Sequence, residues 1–194
     1  MKISAPVLFY SVLLLITTSV VAQSNQKVGS FRSINQVGIL DGEHGTSFQI
    51  NTINGARYKT WFAGVGVGLD YYYFRTIPLF LDLRKGFHLG AGQIFVFADP
   101  GMHFAWLTDQ QKVVLGDSRQ LDNISNGFYI NGGLGYSLRF KSGVEWLLSA
   151  AYSYKQTTGK QQMPFCPFNG PCYISVNDYS YGMNRLSVTT GIAF

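Results

Sequence analysis

Few side chains in this 194-residue chain are suited to chemistry: three His, two Cys and a sparse set of charges, 15 Lys+Arg against 10 Asp+Glu. The cysteines are the strongest local signal. Between Cys166 and Cys172 lie Asn169-Gly170 as a turn former and Pro167 and Pro171 as stiffeners. In an exported chain such a pair predicts one disulfide, with a metal or redox pair as the alternative. The histidines invite an enzyme test. His44 stands beside Asp41 and Glu43, but a hydrolase or acyltransferase needs a nucleophile or activated base within hydrogen-bond reach of its orienting partner. No Ser-containing nucleophile motif or His-x-Ser pattern occurs, and His44, His88 and His103 lack metal-ligand spacing. The expectation is no enzyme, no cofactor and no metal, with His44 an ordinary loop residue.

The elements that must position any such group are strands. The chain is 46% hydrophobic, 15% aromatic and 13% charged, with 22 Gly. Soluble domains carry about 25% charge, so this chain lacks the groups of a soluble surface, and it is too apolar for disorder. The length fits one domain. A net charge of +5 without a Lys/Arg cluster gives no footprint for nucleic acid. Lys2, the apolar run Ala5 to Val21 and Val20-Val21-Ala22 before Gln23 read as a secretory signal peptide over 1–22, the alternative being an uncleaved anchor helix. No Cys follows the cleavage site to carry a lipid anchor. Residues 23–30 then form a short periplasmic segment and 31–194 the folded unit. A spanning helix needs about 20 apolar residues. Beyond residue 22 no stretch approaches that, so a membrane crossing here requires a closed barrel.

From Phe31 onward the period is two. Trp61, Ala63, Val65, Val67, Leu69, Tyr71 and Tyr73 share one face, opposed by Phe62, Gly64, Gly66, Gly68, Asp70 and Tyr72. Ile130, Leu134, Tyr136, Leu138 and Phe140 likewise oppose Asn131, Gly133, Gly135, Ser137 and Arg139. Eight strands are expected, at 31–40, 46–54, 60–74, 77–86, 93–107, 127–140, 144–156 and 179–194, with no helix. In the last, Tyr179, Tyr181 and Met183 fall on the wrong parity, which predicts a bulge near Gly182 or a strand end above the membrane. In a soluble barrel the Gly, Ser and Asn face would be the wetted one, a poor surface. Turned inside out, the large apolar residues face lipid, and the small and polar ones fill a narrow lumen. Trp61 and Tyr71, ten residues apart, then stand about 25 Å apart along the axis, the height of an apolar band between aromatic girdles. Phe128 and Phe140 bracket the sixth strand in the same way. The long connections, 108–126 and 157–178, fall at one end with 41–45 and 75–76, and the short turns 55–59, 87–92 and 141–143 at the other.

Strand parity aims Asp70, Asp82, Asp99 and Glu145 inward with Arg84, Arg139, Lys155, Arg185 and His103. Buried charges must be paired, so these predict an ion-pair network that plugs the lumen, or else a gated or proton-linked path. The cysteine loop is flanked by Met163, Phe165, Phe168, Tyr173 and Ile174. Aromatic residues on a rigid loop suit recognition; the alternative is a loop that caps the barrel mouth or rests on lipid headgroups.

These features together resemble the small OmpA/OmpX-like eight-stranded outer-membrane barrels of Gram-negative bacteria. Residues 61–73 followed by 77–84 are similar to outer-membrane barrels of the Bacteroidota. The closing segment from Asn184 to the terminal Phe194 resembles the signal by which the barrel-assembly machinery recognises its clients. The resemblance implies an all-β up-and-down transmembrane barrel in the outer membrane, in contact with outer-membrane lipid and lipopolysaccharide. Members of that fold act as adhesins, tethers, small pores or lipid enzymes, so activity is not implied. The expected role is structural or adhesive, directed at an extracellular ligand or surface. The alternatives are a small pore for ions or small solutes and, last, a rim-located lipid-modifying enzyme.

Overall fold

The computed structural model describes residues 29–106, 121–165, 168 and 172–194, with the backbone alone at strand positions 121–124, 160–165 and 173–177. The signal peptide expected over 1–22, Cys166 and most of the connection at 108–126 lie outside these residues. Of the expected recognition set, only the backbone is described for Met163, Phe165, Tyr173 and Ile174.

The strands are β1 (Ser30–Gly42), β2 (Gly45–Tyr58), β3 (Trp61–Asp70), β4 (Thr76–Leu89), β5 (Gly92–Ala105), β6 (Leu121–Ile124), β7 (Gly127–Arg139), β8 (Glu145–Phe165) and β9 (Tyr173–Ala193). β1 to β5 pair antiparallel in chain order, β5 pairs with β7 and β7 with β8, and β9 closes the ring by pairing with both β8 and β1. The short β6 and β7 lie end to end along β8, with Ile124 opposite Gly159 and Tyr129 opposite Lys155. They make one stave, so the molecule is an eight-stranded, closed, up-and-down antiparallel barrel. No helix occurs among the described residues. Closure removes the free sheet edge that an open sheet of this length would present.

Tight hairpins turn the chain at the end that carries both termini. Tyr58 pairs with Trp61 across Lys59-Thr60, and Leu89 with Gly92 across Gly90-Ala91. Lys59 and Gly90 hold positive φ, 55° and 58°, the conformation such short turns require. Two prolines sit inside staves, where the missing N–H removes a rung. The β3–β4 ladder lapses opposite Pro78 and the β4–β5 ladder opposite Pro100, while each proline still pairs on its other side.

The inside-out parity holds around the ring. Val65, Val67, Leu79, Leu81, Leu83, Leu134, Leu186 and Val188 are exposed, far more contiguous apolar surface than a soluble monomer shows. Exposed Trp61 and Tyr71 bracket β3, and exposed Phe128 and Phe140 bracket β7. The interior is less polar than expected. Ile34, Ile53, Phe62, Phe80, Phe95, Phe97, Tyr129, Leu147 and Ala193 form a buried core within it. Inward glycines make the room: a Cβ at Gly66 would collide with the Phe80 ring, and one at Gly135 with Phe95.

The largest departure from the expected layout is at β8 and β9. Their pairing runs without a shift from Glu145 opposite Ala193 to Phe165 opposite Tyr173, so there is no bulge at Gly182, and paired strand replaces the expected loop over 157–165 and 173–178. The β1 ladder ends at Gly42 opposite Arg185, and beyond it the two strands continue as a projecting hairpin. Tyr179 and Tyr181 lie on this projection, outside the ring whose parity they break; Met183, at its base, turns inward and is buried. Gly159, Gln161, Gln162 and Pro164 interrupt the apolar alternation, which hides the strand in the sequence.

Candidate functional site: the charged lumen and the projecting hairpin

Seven of the eight expected lumen charges, Asp70, Asp82, Arg84, Asp99, Glu145, Lys155 and Arg185, are buried. They form three groups rather than one network. Nearest the hairpin end, Asp70 closes β3 and receives Arg185 Nη1 in a close ion pair and Lys155 Nζ at 3.3 Å. Lys155 also donates to the Tyr72 carbonyl and to Thr76 Oγ1, each at 3.3 Å, and Arg185 Nη2 donates to Ser153 Oγ at 2.7 Å. The Tyr72 N–H donates to Asp70 Oδ1 at 2.8 Å. β3 and β8 lie on opposite sides of the ring, so the Asp70–Lys155 contact spans the lumen.

At mid-height Asp82 and Arg84, two residues apart and both inward on β4, form a bidentate pair at 2.6–2.9 Å. The Arg84 guanidinium also lies 5.2 Å and 5.3 Å from the Phe95 and Phe97 ring centres. Asn131 Nδ2 donates to Asp99 Oδ2 at 2.9 Å. Several polar atoms here have no hydrogen-bond partner among the described residues: Asn51 Oδ1, Arg84 Nη1, Asp99 Oδ1 and Asn131 Oδ1.

At the terminal end Glu145 Oε2 takes three guanidiniums: Arg32 at 2.9 Å, Arg57 at 3.3 Å and Arg139 at 3.4 Å. Arg57 also reaches Gln93 Oε1 at 2.9 Å. Arg139 was expected inside but stands at the mouth with its side chain 61% exposed, because β7 ends there. Sequence reasoning missed Arg32 and Arg57. Arg57 fell in a presumed turn at 55–59, whereas β2 runs on to Tyr58; Arg32 sits at the start of a strand whose two faces differ little. The usable signal was parity, since Arg32 shares it with Ile34, Gln36 and Leu40.

The histidines do not converge. His44, in the β1–β2 turn, stacks on Tyr73 with ring centres 4.2 Å apart, and its backbone N–H donates to the Tyr72 hydroxyl at 2.9 Å. His88 is exposed near the end of β4 rather than in a turn. His103 is buried with Nε2 2.8 Å from the Gln156 carbonyl. Among the described residues no group of His, Cys, Asp and Glu has the geometry to hold a metal. At the tip of the projecting hairpin Phe168 is fully exposed. Phe194, expected to serve as an assembly signal, follows β9, its backbone paired with that of Ser33 and its ring exposed.

No protein-family model and no curated protein matches this sequence. Among solved structures the chain is similar to the crystal structure of Neisserial surface protein A, at 13% identity and a TM-score of 0.54. The likeness covers 86% of this chain and 97% of that one. At that identity it speaks for the fold.

Proposed function

We propose that the chain is an exported outer-membrane barrel with a closed lumen that presents the β8/β9 hairpin to a partner at the cell surface. The observation that carries this reading is the pairing of an apolar exterior, banded by aromatics at both ends, with an interior cross-linked by ion pairs between opposite strands. The signal-like residues 1–22 supply export, and the structural neighbour is by its title a surface protein. Both termini and the short turns then face the periplasm, and the hairpin faces outward.

The surface role is adhesive or structural. Its contact residues are Met163, Phe165, Phe168 and Tyr173, held by a Cys166–Cys172 disulfide in the connecting turn. Lipopolysaccharide and other outer-membrane lipids surround the belt, and the strand ending at Phe194 is the segment read by the barrel-assembly machinery. No catalytic role is assigned. The likeness to barrels of the Bacteroidota rests on residues 61–73 and 77–84 alone. The test is gel migration of outer-membrane fractions in SDS, unboiled against boiled, joined to binding of intact cells to host or abiotic surfaces. A heat-dependent shift is expected, with binding lost in F165S/F168S and the shift kept. A protein found in a soluble fraction with no shift would sink the reading.

A second reading, a small pore for ions or small solutes, is favoured by the unpartnered polar atoms of Asn51, Asp99, Asn131 and Arg84 at mid-lumen. Buried polar atoms without protein partners call for water. Large, steady single-channel currents in planar bilayers would select that reading over the closed lumen.

A further inference from the structure

We infer that the barrel rim at the end carrying both termini is a docking surface for anionic phospholipid headgroups, an inference that rests on the membrane reading above. The first support is charge. Among the described residues this end carries Arg32, Arg57, Lys59, Lys85, Arg139 and Lys141 against one acid, Glu145. That acid is already shared by three guanidiniums. At the opposite end the described turns, β6 and the projecting hairpin carry Asp41, Glu43, Asp122 and Asp178 with Arg75 and Lys160. Among the described residues the terminal rim therefore carries more cations than acids, and an anionic partner from outside complements it.

The second support is where the cations stand. Lys59 Nζ lies 5.2 Å from the Tyr58 ring centre, and Lys85 Nζ 4.5 Å from that of Trp61 while donating to Thr60 Oγ1 at 2.7 Å. Both rings face outward and are more than half exposed. An ammonium above an outward aromatic at the edge of an apolar belt stands at the height where acyl chains give way to headgroups. A phosphodiester with acyl chains satisfies both halves of this arrangement, with its phosphate on Lys59, Lys85, Arg139 or Lys141 and its chains along the belt. A free phosphate satisfies only the charge.

The test places the folded protein in phosphatidylcholine vesicles with trace spin-labelled phosphatidylglycerol or spin-labelled phosphatidylcholine, and measures the fraction of each label immobilised at the protein. Phosphatidylglycerol is expected to be preferred, less so as salt rises. K59Q/K85Q/K141Q should lower that preference at least about threefold, since each basic residue near an anionic surface contributes a severalfold factor. R75Q, at the opposite end, should leave it unchanged. The exposed turn variant K141Q should show part of the loss if the triple variant folds poorly. The inference is overturned if the triple variant keeps the wild-type preference, if R75Q loses as much, or if inorganic phosphate removes the preference where chloride at equal ionic strength does not. Heat-dependent mobility of the same vesicles in SDS separates the two levels of failure. Without it the membrane reading falls and takes this inference with it; with it, an unchanged preference condemns the docking surface alone.

Discussion

Asp70 is the residue on which the interior depends most. It is the carboxylate partner of both Lys155 and Arg185, each fully buried, and its own second oxygen is held by the Tyr72 backbone. Removing one member of such a group leaves uncompensated buried charge, which destabilises by about 3–5 kcal/mol. D70N should lower the urea midpoint of the refolded barrel by a corresponding amount, and D70N/K155M should recover part of it. Equal midpoints for wild type and D70N would show that water already neutralises the pair. Glycine acts at the same scale by absence. G66V places a side chain where the Phe80 ring lies. Overpacking of this kind costs about 1–3 kcal/mol, and F80L should relieve it. A G66V barrel as stable as wild type, by the same measurement, would mean the ring is free to move.

The hairpin formed by the outer halves of β8 and β9 is the element that sets this barrel's far end apart. Among the described residues, those past the Gln161–Asn177 pair are paired only with each other. Replacing residues 162–176 with a two-residue Asn-Gly turn, which keeps Gln161 opposite Asn177, should therefore keep the heat-dependent SDS shift while abolishing surface binding. Loss of the shift would make the projection part of the folding unit. Parity alone shows that Tyr179 and Tyr181 break the pattern of the ring, through a bulge or a strand end, but the strand itself is hidden. Polar and glycine positions there lose their apolar alternation, and what holds the segment extended is backbone pairing with its partner strand, which leaves no mark on side-chain pattern.

As a whole the molecule is a ring around an interior of buried side chains. Ion pairs at the hairpin end, the Asp82–Arg84 pair with aromatic rings at mid-height, and the Glu145 cluster at the terminal end lie inside it at three levels. Planar-bilayer recordings should accordingly show little or no stable conductance. D82A/R84A, which removes both members of the middle pair, should raise it. Wild-type channels of large, steady conductance would refute the closed lumen.

The strand alternation, the inversion that turns the large apolar residues outward, and the inward parity of Asp70, Asp82, Arg84, Asp99, Glu145, Lys155 and Arg185 are determined by the sequence alone. The reason is local: adjacent residues of a strand must face opposite sides, so face membership is written at a spacing of two. Tertiary structure alone decides which inward residues meet. That Asp70 finds Lys155 across the ring, or that Arg32 and Arg57 converge on Glu145, depends on barrel closure and strand register, which bring together residues 85, 113 and 88 positions apart. The apolar half of the interior belongs to the same category. Phe80 and Phe95 look like residues of a lipid-facing chain until closure sets them against Gly66 and Gly135, because the space a glycine leaves is defined only by the strand beside it.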